Sequence, residues 1–393
     1  LATLELALTW NDGNRRFKDR ITARRVNAWR DIFPSGLKEG LQGKTEGESI
    51  SLDFAPGTLV PAYNDGLVRE LDTRRFRSVS VNGRRILPHP GRFYPLGLFS
   101  GLAGVYPGTM TPARVLAVNG DAMTVDLNHP LARFPFSLEA AIQSIQDKVS
   151  DTGGLLYHWG EELCDNGPGM QARSPNGPTE FITPGFLDRD DEDDGRFYAA
   201  PRFVGHVDDT AGDNLAAMYG RFLESGMKVL DLMSSVQSHL PSGLELDVTG
   251  LGMNREEMEA NTALAEIAVH DLNLDPAIPL SGPFDAVVVS LSVEYLADPV
   301  AVLREAAQRL VPGGVILIGV SNRWFPTKTT RGWTELHEFE RVGYLLQLLE
   351  EAGFGGPMGA ESVRNDWRPQ ADRHFLETRG VSDPVHVVHA FRQ

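Results

Sequence analysis

Two hydrophobic patterns follow one another along the chain. Leu4–Trp10 and Arg15–Ile21 read as a pair of half-buried strands, and Asp12-Gly13 between them supplies the positive φ of a tight turn, so a β-hairpin is expected. A short apolar helix at Leu37–Leu41 and an alternating strand at Ser49–Phe54 come next. Beyond residue 197 the alternation gives way to continuous apolar runs separated by helical periods. Strands are expected at Lys228–Leu232, Leu244–Gly250, Ala265–His270, Phe284–Leu291, Gly314–Val320 and Val385–Phe391. Helices are expected at Thr210–Leu223, Arg255–Ala260, Pro299–Leu310 and Glu335–Glu351. The first part therefore reads as α+β, and the second as an α/β, Rossmann-like, doubly wound and mostly parallel sheet.

The stretch KVLDLMSSVQSHLP, Lys228–Pro241, organises the second part. A buried parallel strand there delivers Asp231 to its C-terminal tip, where open α/β sheets bind their ligands. The loop that follows is Met233-Ser234-Ser235, with no glycine before Gly243. Ser234 and Ser235 can stand in for glycines as hydroxyl donors provided the backbone stays in allowed space.

Composition narrows the classes. At 393 residues the chain predicts two or three domains. A net charge of -16 argues against a nucleic-acid partner, which needs a basic footprint. Cys164 is the single cysteine, which excludes an internal disulfide framework and a cysteine-rich metal site; no metal is expected. No uncharged run reaches the roughly 18 residues of a membrane span, so no membrane partner is expected. LATLELALTW lacks a basic n-region and reads as strand and turn, which leaves the cytoplasm as the default.

Residues 148–196 read as a linker. Cys164–Pro184 is dense in glycine, proline, asparagine and aspartate, and DRDDEDD at 188–194 reads as a solvated acidic run. Asn166–Gln171 is either a substrate lid, with Met170 and Gln171 facing a ligand, or an ordinary turn. Tyr198 and Arg202, just ahead of a helix, are candidates to reach a cofactor carboxylate, against a packed aromatic and a salt bridge.

The order Ser35-Gly36-Leu37, Leu41-Gln42-Gly43, Gly47, then Ala62-Tyr63, followed by Val125–Ala132 (VDLNHPLA), resembles the FKBP fold of the SlyD type, over roughly residues 1–147 with a flap insertion at about 76–131. The resemblance implies a peptidyl-prolyl isomerase or chaperone-like domain that receives proline-containing or unfolded polypeptide. Leu37 then lies at the floor of the prolyl groove and Tyr63 at the A-Y position.

The run Phe284–Val320, with its turn Pro312-Gly313-Gly314, resembles class I S-adenosylmethionine-dependent methyltransferases of the type 11 group, over residues 197–393. This implies S-adenosyl-L-methionine as cofactor and a small-molecule methyl acceptor, such as a thiol or other soft nucleophile. In Val248–Asn254 (VTGLGMN), Gly252 replaces the acid that usually holds the ribose, leaving Asn254 or a residue from elsewhere; Met253 covers the adenine. Asp271 would accept from the adenine amino group and Leu272 would cap the ring. Candidates for the chemistry are Tyr295, Ser290 and His239, the last as general base or as a plain helix-face histidine. The loop carrying Arg323, Trp324 and Lys328 is placed for substrate recognition. The competing reading is a chaperone or isomerase whose methyltransferase fold is a degenerate binding module.

Overall fold

The computed structural model describes residues 1–81, 83–147, 155–165 and 173–393. Two compact units emerge. One comprises residues 1–13, 17–183 and 335–344; the other comprises 14–16, 184–334 and 345–393. The division between residues 183 and 184 falls inside the stretch expected as linker.

In the first unit the hairpin, the helix Leu37–Leu41 and the strand Ser49–Phe54 form where the pattern places them. Gly13 takes φ +61 at the turn. The strand Phe136–Ile145 returns to pair antiparallel with both Ala2–Asp12 and Ser49–Phe54. Inserted between them is an antiparallel sheet in the order Val68–Asp72, Ala122–Asp126, Pro112–Asn119, Phe93–Pro95. It has its own core of Phe76, Tyr94, Phe99, Val115, Met123 and Val125. The sheet begins at Val68, ahead of the expected start of the insertion.

In the second unit the strand order is Glu266–Val269, Asp247–Gly252, Lys228–Leu232, Phe284–Ser290, Leu310–Ser321, Val385–Phe391, Met358–Arg364. The first five run parallel, and Val385–Phe391 pairs antiparallel with its neighbours on both sides. Chain order reverses between Lys228–Leu232 and Phe284–Ser290, so the crevice beyond these two strand ends is the switch point where such sheets bind ligands. Helix Asp209–Tyr219 buries Ala211, Leu215, Met218 and Tyr219 against this sheet, with Asp208 as its N-cap. It stops four residues earlier than the periodicity predicts, at Gly220. The expected helix Glu335–Glu351 is two helices, Arg331–Glu335 and Glu338–Glu351. Met358–Arg364 was not anticipated, because MGAESVR has neither strict alternation nor β-branched enrichment.

Candidate functional site

At the switch point lies a cleft of about 980 Å³, its open mouth included. Asp231, Met233, Ser234, Ser235, Met253, Asn254, Asp271, Leu272, Tyr198 and Arg202 all line it, as do His239, Ser290 and Tyr295. Ten expected cofactor contacts and three expected catalytic groups, drawn from five segments, thus meet in one cavity.

Asp231 sits at its strand tip, 2% exposed. One carboxylate oxygen accepts from the hydroxyls of Ser234 and Ser238, both at 2.6 Å, so the side chain fastens the loop that follows it. Burial pushes its acid up to about 6, against the lowering effect of the two hydroxyls. Met233 holds the left-handed turn at φ +61, a conformation that favours glycine and costs a non-glycine residue about 1–2 kcal/mol. Ser234 N–H then donates to Leu251 O at 2.8 Å, laying the loop on the neighbouring strand tip.

One expected cofactor contact, Asn254, and one expected catalytic group, Ser290, are already committed. Asn254 donates its amide to Tyr198 O at 2.9 Å and accepts Glu257 N–H at 3.1 Å, so it caps the helix Arg255–Glu259 and anchors residues 198–199 rather than standing free for a ribose. Ser290 shares a hydrogen bond with the Tyr219 hydroxyl at 3.0 Å and donates to Ser238 O at 3.3 Å, a brace between strand and loop. Tyr295 keeps its phenol proton. Its buried phenol is pushed well above its ordinary range by desolvation, and its oxygen accepts Phe325 N–H at 3.0 Å. Arg202 stacks over the Phe197 ring at 4.1 Å, so the cation is partly screened by an aromatic face.

Lys328 is corrected outright. Expected at the substrate mouth, it is 0% exposed and bonds Asp194 at 2.5 Å. Asp194 also accepts from Arg189 at 2.7 Å and from Asn273 at 2.7 Å. The acidic run 188–194 is therefore no simple solvated linker: its last carboxylate is 3% exposed and lines the cleft, while Asp188 and Asp190 face Arg331. Met170 and Gln171 lie outside the described residues. In the first unit Leu37 is fully buried and Arg133 stacks over the Tyr63 ring, so neither presents an open groove surface.

His206, Glu257 and Asn273, to which the sequence assigns no role, also line the cleft, together with Ser292 near the end of the strand Phe284–Ser290. Burial lowers His206 below the ordinary imidazole range, opposed by the charge of Glu257. Burial, with His206 nearby, takes His239 down to about 4. Both imidazoles are neutral at pH 7. His239 Nε2 and Ser292 Oγ are buried polar atoms with no hydrogen-bond partner among the described residues. A cavity that leaves such atoms open is suited to a polar ligand. A second cavity of about 1320 Å³, mouth included, contains Arg323, Trp324 and Arg373 and shares His206, Leu291, Tyr295 and Phe325 with the first. Among the described residues there is no cluster of histidine, cysteine and acidic side chains suited to a metal ion.

Comparison with known proteins places these strands in context. Residues 236–318 match the family model of a methyltransferase domain. A ubiquinone biosynthesis O-methyltransferase from Dinoroseobacter shibae is 27% identical over 35% of this chain, and the match spans 66% of that relative's length. A solved SAM-dependent methyltransferase from Archaeoglobus fulgidus is 13% identical, covering 46% of this chain and 92% of its own, with TM-score 0.33. One from Mesorhizobium loti is 18% identical, covering 45% and 96%, with TM-score 0.30.

Proposed function

We propose that the C-terminal unit transfers a methyl group to a small-molecule nucleophile. The cofactor is S-adenosyl-L-methionine. The observation that carries the reading is the cleft at the switch point, which gathers Met253, Asp271 and Leu272 from within the matched segment 236–318 and Asp231 and Ser235 from just before it. When bound, S-adenosylmethionine supplies an electrophilic methyl on a cationic sulfur.

The protein's own part is placement and proton handling. Asp231 contributes negative charge at the floor, Met253 and Leu272 apolar cover, and Asp271 an acceptor. The acceptor molecule is assigned to the second cavity, between Trp324, Arg323 and Phe325. His206 borders both cavities as a neutral imidazole and can take the proton of a hydroxyl or thiol as it attacks the methyl group. The curated relative's name, an O-methyltransferase, agrees with an acceptor of the hydroxyl kind. Radiolabelled methyl transfer over phenols, thiols and amines tests this. His206→Gln is expected to slow transfer to proton-bearing acceptors by about 10²–10⁴-fold with cofactor affinity kept; unchanged turnover would remove His206 from the role.

The N-terminal unit we read as an FKBP-like domain of SlyD type that receives unfolded or proline-containing polypeptide. Hairpin, short helix, strand, inserted sheet and returning strand support this order. So does Asn128, which accepts Asn64 N–H at 2.8 Å and donates to Asn64 O at 3.0 Å, joining the loop after Tyr63 to the Asn-His-Pro segment. With Arg133 over Tyr63, turnover of a prolyl peptide is expected to be weak, and Arg133→Ala to raise it; no change in a standard isomerisation assay would remove the groove assignment. No helix among the described residues is long and apolar enough to cross a membrane, and a cytoplasmic location is part of the same proposal.

A further inference from the structure

We infer that Glu257 is the carboxylate that holds the cofactor's ribose hydroxyls, displaced from the strand tip to the following helix; the inference rests on the methyltransferase reading above. The tip itself has no room. A Cβ on Gly252 would lie 2.1 Å from Ser234 O and 3.0 Å from Met258 Sδ. Ser234 is held there at both ends, by its N–H on Leu251 O and its hydroxyl on Asp231. The loop thus fills the space an acidic side chain at 252 would need.

The other carboxylates of the cleft have different partners. Asp231 serves two hydroxyls of its own loop, Asp194 faces two buried cations, and Asp271 accepts the N–H groups of Asn273 and Leu274. Glu257 is 6% exposed and lines the cavity without an ion-pair partner among the described residues. One oxygen accepts Arg202 N–H at 2.7 Å and the other the Ser235 hydroxyl at 2.6 Å. Both are neutral donors. An ionised carboxylate offers about four lone-pair positions, so each oxygen retains one. Two remaining acceptors side by side match the two adjacent hydroxyls of a ribose, and hydrogen bonds to a charged group are the strong kind.

Calorimetric titration of the full chain with S-adenosylhomocysteine, adenosine and 2′,3′-dideoxyadenosine tests the assignment. The wild type is expected to prefer adenosine over the dideoxy compound by about tenfold or more. Glu257→Gln is expected to lose about tenfold in S-adenosylhomocysteine affinity and most of that preference, with an unchanged circular dichroism spectrum. If that variant does not fold, Glu257→Asp, which keeps the charge and withdraws it by one methylene, is measured in the same way. A folded variant that keeps the full ribose preference overturns the assignment and leaves the methyltransferase reading standing. A folded wild type that binds no S-adenosylhomocysteine overturns both.

Discussion

Asp231 and Asp194 line the same cleft and are almost equally buried, at 2% and 3% exposure, yet they are opposite electrostatic devices. Asp231 has only hydroxyl donors, and desolvation raises its acid to about 6. Burial acts on Asp194 in the same direction, but hydrogen bonds from Lys328, Arg189 and Asn273 outweigh it and hold the acid below its ordinary value. Asp194 is therefore a satisfied clamp, closing the segment 188–194 onto the loop that carries Lys328. Asp231 is an uncompensated charge that gains most when a cation arrives. The difference separates the group that builds the wall from the group poised to receive an ion.

The largest expected effect breaks the clamp. Asp194→Ala strands Lys328 and Arg189 in a buried site and is expected to cost ~3–5 kcal/mol in urea unfolding. A cost below about 1 kcal/mol would show that the pairing carries little of the stability.

The pH dependence of stability should separate the two acids by sign. Asp231, with its folded pKa raised, keeps its proton between about pH 4 and 6 where the unfolded chain has lost it. Its contribution to stability is full below that window and falls as pH rises through it, by no more than about 3 kcal/mol. Asp194, lowered, contributes stability that is lost as pH falls below the ordinary carboxylate range. Asp231→Asn should flatten the first slope and leave the second; an unaltered slope between pH 4 and 6 would mean that another group titrates there. Ligand binding sharpens the same contrast. S-adenosylmethionine affinity is expected to fall by up to about tenfold per pH unit below pH 6 in the wild type, and to be flat there in Asp231→Asn. The smallest effect is local: Met233→Gly relieves the left-handed residue beside Asp231 and should stabilise by ~1 kcal/mol at most, read as a small rise in melting temperature.

How far this cleft is legible in sequence depends on the range of the interactions that build it. Strand tips and their loops are local features, so Asp231, Met253, Asp271 and Leu272 could be placed from apolar runs and family resemblance. Asp194 could not, because a carboxylate inside DRDDEDD looks solvated until Lys328, 134 positions later in the chain, is folded against it. Lys328 follows the same rule: a cation in an aromatic loop suggests a mouth, and only tertiary packing turns it inward. Glu257 left a readable trace in Asn254-x-x-Glu257, the spacing of a helix capping pair, but its place in the cavity is set by tertiary contacts with Arg202 N–H and the Ser235 hydroxyl. Asn254 shows the converse, a residue whose type suits a ligand and whose amide the backbone takes first.

The cleft at the switch point, with Asp231 at its floor, is the proposed seat of the methyl donor. Calorimetric titration of the full chain with S-adenosyl-L-methionine at pH 7.5 tests it most directly. The account predicts saturable one-site binding that Asp231→Ala abolishes while the N-terminal unit stays folded. Absence of binding by the folded wild type, or undiminished affinity in Asp231→Ala, would contradict it.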